Sequence, residues 1–396
     1  MNRRIAALDG LRGVAILLVL ACHLIDLKPV GAWPNLISKG LFVGVDLFFV
    51  LSGFLITGIL LRTADDPHRT RNFYVRRALR IFPAYYTVVL ATTAVVCLWH
   101  TDARIVTDTR EMLPSFLLFG HNLVGTLSPE RPLLRELKPL WSLAVEEQFY
   151  LIWPWLIWRC QPQHRLRLCV WVMVIALAFK FGMTLRGLHA GSIYQFTLSR
   201  MDTLAAGSFL AVWLAQHGER PLPRWMRWMP WIASVCLITM FIVCRGMRQS
   251  QGPLITTLAT SATPWIFGGV LYASLQAQSL AQRGFSHPLL RFFGRYSYGL
   301  YLVHFIADAG VRLWWLPTLA QWTGLSGNAL SWLIAAISLL CSIGLALLLH
   351  RLIEAPALRL KKYFDAEAAH TGHGASTGAS LPPAGTPPHA SPTASP

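Results

Sequence analysis

Long apolar runs recur along this 396-residue chain, and they limit what it can fold into more than any other feature. A run of about 18 or more apolar residues is long enough to cross the hydrocarbon core of a bilayer as a helix. A transmembrane barrel would need many short strands of alternating polarity, which this sequence lacks. We therefore predict an all-α, polytopic membrane bundle of about ten transmembrane helices, at about residues 11–26, 41–61, 81–99, 139–158, 168–187, 200–216, 230–245, 255–275, 294–315 and 329–349.

The basic residues predict how the bundle is oriented. The chain has 35 Lys and Arg against 18 Asp and Glu, and the excess lies in short loops between the apolar runs. The alternate loops that include both termini hold 21 Lys and Arg, whereas the opposite set holds 12. Cytoplasmic loops are enriched in Lys and Arg, so both termini are expected in the cytoplasm. The same distribution explains the net charge of +17 without a nucleic-acid partner, and none is predicted.

Composition divides the chain at about residue 365. Residues 1–364 form the expected membrane domain, and residues 365–396 are mostly Pro, Ala, Ser, Thr, Gly and His. Such a segment has too little apolar surface to offset the entropy lost on ordering, so we predict a disordered cytoplasmic tail. The seven cysteines have no C-x-x-C spacing, and neither a disulfide framework nor a metal site is predicted.

The first predicted span carries two ionisable residues, Arg12 and His23. Charges inside a bilayer are costly and commonly serve a function. The separation of eleven residues is close to three helical turns, which places both side chains on one face, about 16 Å apart along the axis. They are therefore candidates for a functional path through the membrane. The alternative is that both side chains only extend from the helix ends to water.

The fourth predicted span contains two adjacent carboxylates, Glu146 and Glu147. Ser142, Glu146 and Tyr150 recur every fourth residue and therefore share one helical face. We interpret Glu146 as functional, with a structural ion pair as the alternative for Glu147. By topology, Glu146 should converge near the outer leaflet with four candidates from other spans, which are His23, Asp46, Arg200 and Asp202.

The ninth predicted span has a polar stripe formed by Ser297, Tyr301, His304 and Asp308, at spacings of four, three and four residues. A lone buried histidine is usually a satisfied core residue. A continuous polar stripe in lipid is more typical of the wall of a cavity or channel. We therefore predict that this stripe lines a path from the cytoplasmic end of the helix past the midplane.

Three arginines, Arg76, Arg77 and Arg80, precede the third predicted span on its cytoplasmic side. Membrane topology alone would supply some basic residues there. The four-residue spacing of Arg76 and Arg80 also places two guanidinium groups on one helical face, as an anionic phosphate ligand requires. We predict a phosphate-binding site at this position.

These motifs together resemble the acyltransferase-3 family of membrane acyltransferases, which includes O-antigen and other surface-glycan acetylases. The resemblance is collinear over about residues 5–362, and the joint order of the motifs is far more specific than any one of them. The matching segments are Arg12 to His23, Gly44–Ile56, the Arg76 to Arg80 cluster, Trp141–Tyr150, Arg200–Asp202, Ser297 to His304 and Glu354–Pro356.

The resemblance implies a multi-pass enzyme of the bacterial cytoplasmic (inner) membrane. Its donor would be cytoplasmic acyl-CoA, usually acetyl-CoA. Its acceptor would be a hydroxyl of an extracytoplasmic surface glycan or lipid-linked saccharide, such as O-antigen or exopolysaccharide. Some relatives carry a secreted esterase-like domain after the membrane core, and none is expected for this sequence. Transfer within the membrane core is therefore the expected scheme, rather than peptidoglycan acetylation through a fused domain.

The expected mechanism assigns a role to each group. His23, oriented by Asp26 or Glu146, removes the acceptor proton as general base, and a covalent acyl-histidine relay stays open. Arg12 or Arg200 stabilises developing charge, and Asp46 and Glu146 orient the acceptor or the base. The Arg76, Arg77 and Arg80 cluster binds the phosphates of coenzyme A, and Arg200, Asp202, Ser297, Tyr301 and His304 contact substrate or line the channel.

A membrane transporter or exporter of a glycan or lipid-linked intermediate is the alternative function. Paired charges within the membrane also mark transport pathways. Inspection of the sequence shows no inverted repeat or pair of broken half-helices, which disfavours this class.

Overall fold

The computed structural model describes residues 3–25, 40–99, 101–127, 134–218, 220–243, 252–325 and 327–364. Within these ranges the secondary structure is entirely helical. The helices are α1 (Arg3–Leu24), α2 (Gly44–Arg62), α3 (Arg69–Trp99), α4 (Ala103–Leu117), α5 (His121–Leu127), α6 (Trp141–Arg159), α7 (Arg165–Leu185), α8 (Ala190–Gln195), α9 (Thr197–His217), α10 (Arg224–Val243), α11 (Pro253–Leu275), α12 (Leu280–Phe285), α13 (Pro288–Arg295), α14 (Ser297–Gly310), α15 (Leu316–Thr323), α16 (Gly327–Leu349) and α17 (Ala355–Arg359).

Shorter or tighter helical segments adjoin several of these helices. Three-residue 3₁₀ helices precede α2 and α7, and a longer 3₁₀ helix, Arg135–Leu140, leads into α6. A π-helical turn, Val311–Trp315, continues α14, and another, His350–Glu354, continues α16. A final 3₁₀ helix, Leu360–Phe364, packs with α17 against α3. The predicted tail, residues 365–396, lies outside the described residues.

Six helical stretches of the described residues are long and apolar enough to cross a membrane. They are Ala6–Leu24, Leu41–Arg62, Arg69–Trp99, Pro162–Leu185, Arg224–Val243 and Gly327–Phe364. The predicted spans at 139–158 and 200–216 are also continuous helices, α6 and α9, although both carry ionisable residues. The polytopic all-α bundle is confirmed, whereas the count of ten spans and the cytoplasmic location of both termini stay predictions.

The crossing of α2 and α9 depends on two glycines. A Cβ atom at Gly53 would lie 1.9 Å from the carbonyl oxygen of Leu204, and one at Gly207 would lie 1.9 Å from that of Val50. The two backbones can approach this closely only because neither glycine has a side chain. Each glycine lies seven residues after a buried charge, Asp46 on α2 and Arg200 on α9, so the crossing brings the amino-terminal ends of two parallel helices together.

The predicted outer connection is tied to the bundle by polar contacts to α6. The amide nitrogen of Gln148 donates to the backbone oxygen of Phe119 at 2.7 Å and to the side-chain oxygen of Asn122 at 2.9 Å. The Gln148 side-chain oxygen accepts from Thr197 at the start of α9, at 2.5 Å. One glutamine in the first half of α6 thus holds both α5 and the start of α9 against that helix.

Candidate active site

His23 and His304 form a hydrogen-bonded pair between α1 and α14. The distance between His23 Nδ1 and His304 Nε2 is 3.1 Å, and the two rings stack with their centres 5.2 Å apart. Phe305 packs edge-on against both rings. His304 is fully buried, whereas His23 is partly exposed. Two residues predicted separately, one as base and one as channel wall, therefore belong to a single unit.

The hydrogen bonds assign the tautomer of each neutral ring. His304 Nδ1 lies 2.8 Å from the backbone oxygen of Tyr301, and a carbonyl oxygen can only accept, so this nitrogen carries the proton. His304 Nε2 is then an acceptor, and His23 Nδ1–H donates to it. The remaining nitrogen, His23 Nε2, is then unprotonated, as a general base requires. Within the described residues, no three His, Cys, Asp or Glu side chains are grouped to hold a metal.

A cavity of about 300 Å³ reaches Tyr301, whose backbone oxygen bonds His304, although neither histidine is among its lining residues. One end opens between basic residues of α3 and the carboxy-terminal 3₁₀ helix. The predicted phosphate-binding residues all line it, together with two further cations: Arg69, Arg76, Arg77, Arg80 and Lys361. Phe364, held over the guanidinium of Arg71, also lines this end. Positive charge therefore surrounds the entrance rather than a single face of α3.

The middle of the cavity holds the predicted carboxylate of α6. Tyr150 donates to Glu146 Oε2 at 3.0 Å, and Ser52 of α2 is hydrogen-bonded to the same tyrosine. Arg12 and Arg77 lie within electrostatic range of Glu146, and the Arg77 guanidinium lies over the Tyr150 ring at 5.1 Å. The surrounding cations and hydroxyl groups offset the free energy that is lost when this carboxylate is removed from water.

The end of the cavity opposite the basic entrance lies at Tyr301, one helical turn before His304. The Tyr301 hydroxyl donates to the backbone oxygen of Pro139 at 2.6 Å and accepts from Ser142 at 2.6 Å. Ser142, Tyr301 and Ser297 line the cavity, and the Tyr301 backbone is the partner of His304. The polar stripe of α14 therefore borders the cavity over one part of its length and contacts His23 over the next.

Glu146 is not the partner that orients His23. It lies beside Arg12, eleven residues before His23 on α1, because the first turns of α6 direct it toward Tyr150 and Ser52. The other predicted partner, Asp26, lies outside the described residues. His304 occupies that role instead. The prediction that a carboxylate orients the base is therefore wrong for Glu146.

The structure also brings together Asp46 and Arg200, whose convergence with the base stays a prediction. These two side chains form an ion pair with each other, and both are fully buried. The Arg200 guanidinium also lies over the ring of Tyr194, 4.7 Å from its centre, and over that of Phe49. Neither charged residue lines the basic cavity. A charge enclosed in this way fixes the α2–α9 contact, because an unpaired charge there would be very costly.

Asp202 lies in yet another place. Its carboxylate accepts from Lys180 of α7 at 2.5 Å and from the backbone N–H of Thr203 at 2.8 Å, and both charged side chains are buried. It borders a second, larger cavity between α7, α9, α10 and α11. The predicted outer cluster is thus divided into separate pairs, because each acidic residue has a closer basic partner than the histidine.

Sequence reasoning missed several of these residues. Lys180 was visible as a lone cation inside an apolar run, which signalled a buried acidic partner without identifying it. Arg69, Lys361 and Phe364 looked like ordinary loop and terminal residues. They reach the cavity because the chain after α16 turns back against α3, and no local pattern indicates that contact.

Comparisons with known proteins agree with the motifs. The acyltransferase-3 model, described as an acyltransferase domain, matches residues 5–351. Similar proteins include the peptidoglycan O-acetyltransferase OatA of Listeria monocytogenes, 30% identical over 335 residues that cover 77% of this chain and 49% of the relative. The putative peptidoglycan O-acetyltransferase YrhL of Bacillus subtilis is 30% identical over 334 residues, 77% of this chain and 48% of the relative.

A third relative is the putative O-acetyltransferase SACOL0978 of Staphylococcus aureus, 27% identical over 342 residues, 79% of this chain and 52% of the relative. The chain thus spans about half the length of these relatives. No solved structure is significantly similar to it. Because the family model covers most of the chain, and confirms the resemblance carried by the motifs, this protein belongs to the acyltransferase-3 family.

Proposed function

We propose that the protein is a multi-pass O-acyltransferase of the bacterial inner membrane. It moves an acyl group, with acetyl as the expected one, from cytoplasmic acyl-CoA to a hydroxyl of an extracytoplasmic carbohydrate. One observation carries the proposal: a cavity with a basic entrance ends at Tyr301, whose backbone holds the His304–His23 pair. An anionic donor and a general base are thereby connected through the interior of the membrane domain.

The basic entrance suits the phosphate groups of coenzyme A. Arg76, Arg77 and Arg80, with Arg69 and Lys361, offer guanidinium and ammonium donors to phosphate oxygens. The interior of the cavity then receives the pantetheine arm, with its thioester directed toward Tyr301. Arg12 lies within this interior beside Glu146, so we assign it to donor binding rather than to the base.

The histidine pair supplies the proton transfer. His23 Nε2 takes the proton of the acceptor hydroxyl as the oxygen attacks the thioester carbonyl carbon. The new carbon–oxygen bond forms, the carbon–sulfur bond breaks, and the coenzyme A thiolate takes the proton from His23. His304 holds the His23 ring through Nδ1 and stabilises the positive charge that the ring acquires during the step.

The acceptor is a cell-envelope glycan. The names of two relatives point to peptidoglycan as their acceptor. For this chain the same chemistry serves O-antigen, exopolysaccharide or a lipid-linked saccharide equally well, because each presents a sugar hydroxyl outside the membrane. We therefore assign the class of acceptor, a carbohydrate hydroxyl, and leave its identity to glycan analysis of a deletion strain.

Reconstitution tests the proposed reaction. Proteoliposomes loaded with radiolabelled acetyl-CoA are offered an envelope glycan on the outside. We expect label in the external glycan, released as acetate by mild base. Liposomes that contain the His23→Ala protein serve as the control and should transfer none. If the active protein passes glycan or acetyl-CoA across the bilayer without labelling any glycan, the protein is a transporter and the proposed reaction is wrong.

A further inference from the structure

A buried carboxylate on α14 holds two guanidinium groups at the predicted outer end of the bundle. Asp308 accepts from Arg135 at 2.8 Å, from Arg312 at 2.9 Å on both of its oxygens, and from Ser338 at 3.1 Å. Arg135 belongs to the 3₁₀ helix that precedes α6, and Arg312 to the π-helical turn after α14. π-Helical turns inside α-helices often occur at functional sites.

The cluster carries more positive charge than it neutralises. One carboxylate faces two guanidinium groups, and the other two charged residues of that 3₁₀ helix, Glu136 and Lys138, are opposite in sign. The Arg135 side chain is 53% exposed, so its remaining N–H groups face outward while Asp308 fixes its position. A guanidinium held from one side and open on the other can form a bidentate contact with an oxyanion.

This guanidinium lies close to the proposed base. Arg135 lies over the ring of Phe305 at 5.7 Å, and the centre of that ring is 4.7 Å from the centre of the His23 ring. Together these distances place the guanidinium carbon at most 10.4 Å from the centre of the His23 ring. A sugar whose hydroxyl reaches His23 can therefore present another substituent to Arg135.

We propose that Arg135 is a specificity-determining residue that binds a carboxylate or phosphate on the acceptor saccharide. Phe305 forms the surface between the anion-binding guanidinium and the histidine. Asp308 and Arg312 hold Arg135 in place and do not themselves contact the acceptor anion. This inference rests on the proposed acyl transfer and adds to it that the acceptor is anionic near the acylated hydroxyl.

Three versions of one oligosaccharide test this inference in the reconstituted full-length protein. One version is neutral, one carries a carboxylate and one carries a phosphate. We expect KM for at least one anionic version to lie well below that of the neutral one. Arg135→Gln should raise that KM about ten- to a hundredfold, since contacts to charged groups have this worth, and leave kcat and the neutral KM within about twofold. The version that responds identifies the anion.

Arg110→Gln is the matched control, because Arg110 is an exposed arginine on α4 of the same connection. It should change none of these constants. Arg135→Lys should recover part of the affinity. Equal changes for neutral and anionic versions, or a change in kcat alone, would show that Arg135 is only structural and overturn the inference.

Direct binding of the same oligosaccharides without donor separates the two levels of the proposal. If the protein acylates no version, the proposed reaction fails, yet selective binding of an anionic version that Arg135→Gln abolishes still supports the anion site. If transfer occurs and binding shows no preference for charge, the anion site fails while the proposed reaction stands.

Discussion

Two cavities in the membrane domain differ in size and, in the opposite sense, in the number of charged residues that line them. The cavity between α7, α9, α10 and α11 is the larger, at about 710 Å³, and its charged lining residues are Asp202 and Arg227. The basic cavity is less than half as large, at about 300 Å³, yet charged residues line it from its entrance to its middle. Volume alone would therefore favour the cavity whose lining has fewer charged residues.

The two cavities differ in whether the charged residues beside them are neutralised by a partner. At the larger cavity, Asp202 is neutralised by the buried Lys180. The basic cavity is lined by six Arg and Lys side chains but by only two carboxylates, Asp66 and Glu146, so positive charge remains for a ligand. Closed ion pairs specify how helices pack, whereas an excess of one sign facing a cavity specifies what can bind.

Breaking the buried ion pair of Asp202 and Lys180 should have the largest effect, and it should lower the stability of the protein. Asp202→Ala leaves Lys180 buried without its partner, which commonly costs about 3 to 5 kcal/mol of unfolding free energy. We expect a large fall in the denaturation midpoint of the purified protein in detergent. Lys180→Met with Asp202→Leu should recover much of it. If Asp202→Ala is fully stable but transfers no acyl group, Asp202 acts in the reaction.

His304→Ala tests, through the reaction rate, whether the His23–His304 pair supplies the general base. Without His304 the His23 ring loses the partner that fixes its tautomer and orientation, and we expect kcat to fall about a hundredfold, within the usual range for general-base catalysis. Coenzyme A affinity, measured by calorimetry, should not change. His350→Ala is the control and should leave kcat nearly unchanged, since His350 pairs with Glu354 in the π-helical turn after α16. An unaltered rate in His304→Ala would remove His304 from the mechanism.

Gly207→Ala tests whether close packing holds α2 against α9. The added methyl group would lie 1.9 Å from the Val50 carbonyl oxygen, so the helices must separate. Overpacking of this kind costs about 1 to 3 kcal/mol, and thermal denaturation should detect it. Gly344→Ala on α16 is the matched control, because nothing lies within 4 Å of its Cβ position. Equal midpoints for the two variants would contradict the described crossing.

A pair of leucine-to-tryptophan variants compares the two cavities directly. Leu55 lines the basic cavity and Leu177 the larger one. Leu55→Trp should weaken donor binding and transfer about tenfold, because the indole ring occupies space that the donor fills. A tenfold loss corresponds to about 1.4 kcal/mol of binding free energy. Leu177→Trp should leave both within about twofold. The reverse result would make the larger cavity the donor site.

The sequence was sufficient to predict what depends on local spacing. Apolar runs predicted the helices, and four-residue spacing predicted that Arg76 and Arg80 share a face and that Ser142, Glu146 and Tyr150 share another. The structure places all five beside one cavity. The residues of each set lie within about three turns of one helix, so helical geometry alone fixes their relation within that set.

The partners across helices could not be predicted in this way. His23 and His304 are 281 residues apart, and nothing in the spacing of α1 shows which helix faces it. The depth of Asp46, Glu146 and Asp202 was foreseen only coarsely, and depth does not decide which cation each acid meets. Side-chain pairing between helices depends on their rotation and crossing, which only the packed bundle determines.

A double measurement on two variants tests the connection between the basic cavity and the histidine pair most directly. Coenzyme A affinity is measured by calorimetry and acyl transfer is measured in vesicles, both on His23→Ala and on Arg76→Ala with Arg80→Ala. We expect His23→Ala to bind coenzyme A normally and to lose transfer by about 100- to 10,000-fold. The double-arginine variant should lose donor affinity by roughly 1.5 to 3 kcal/mol per lost contact. Normal transfer by a folded His23→Ala protein, or unchanged affinity in the double variant, would contradict this division of roles.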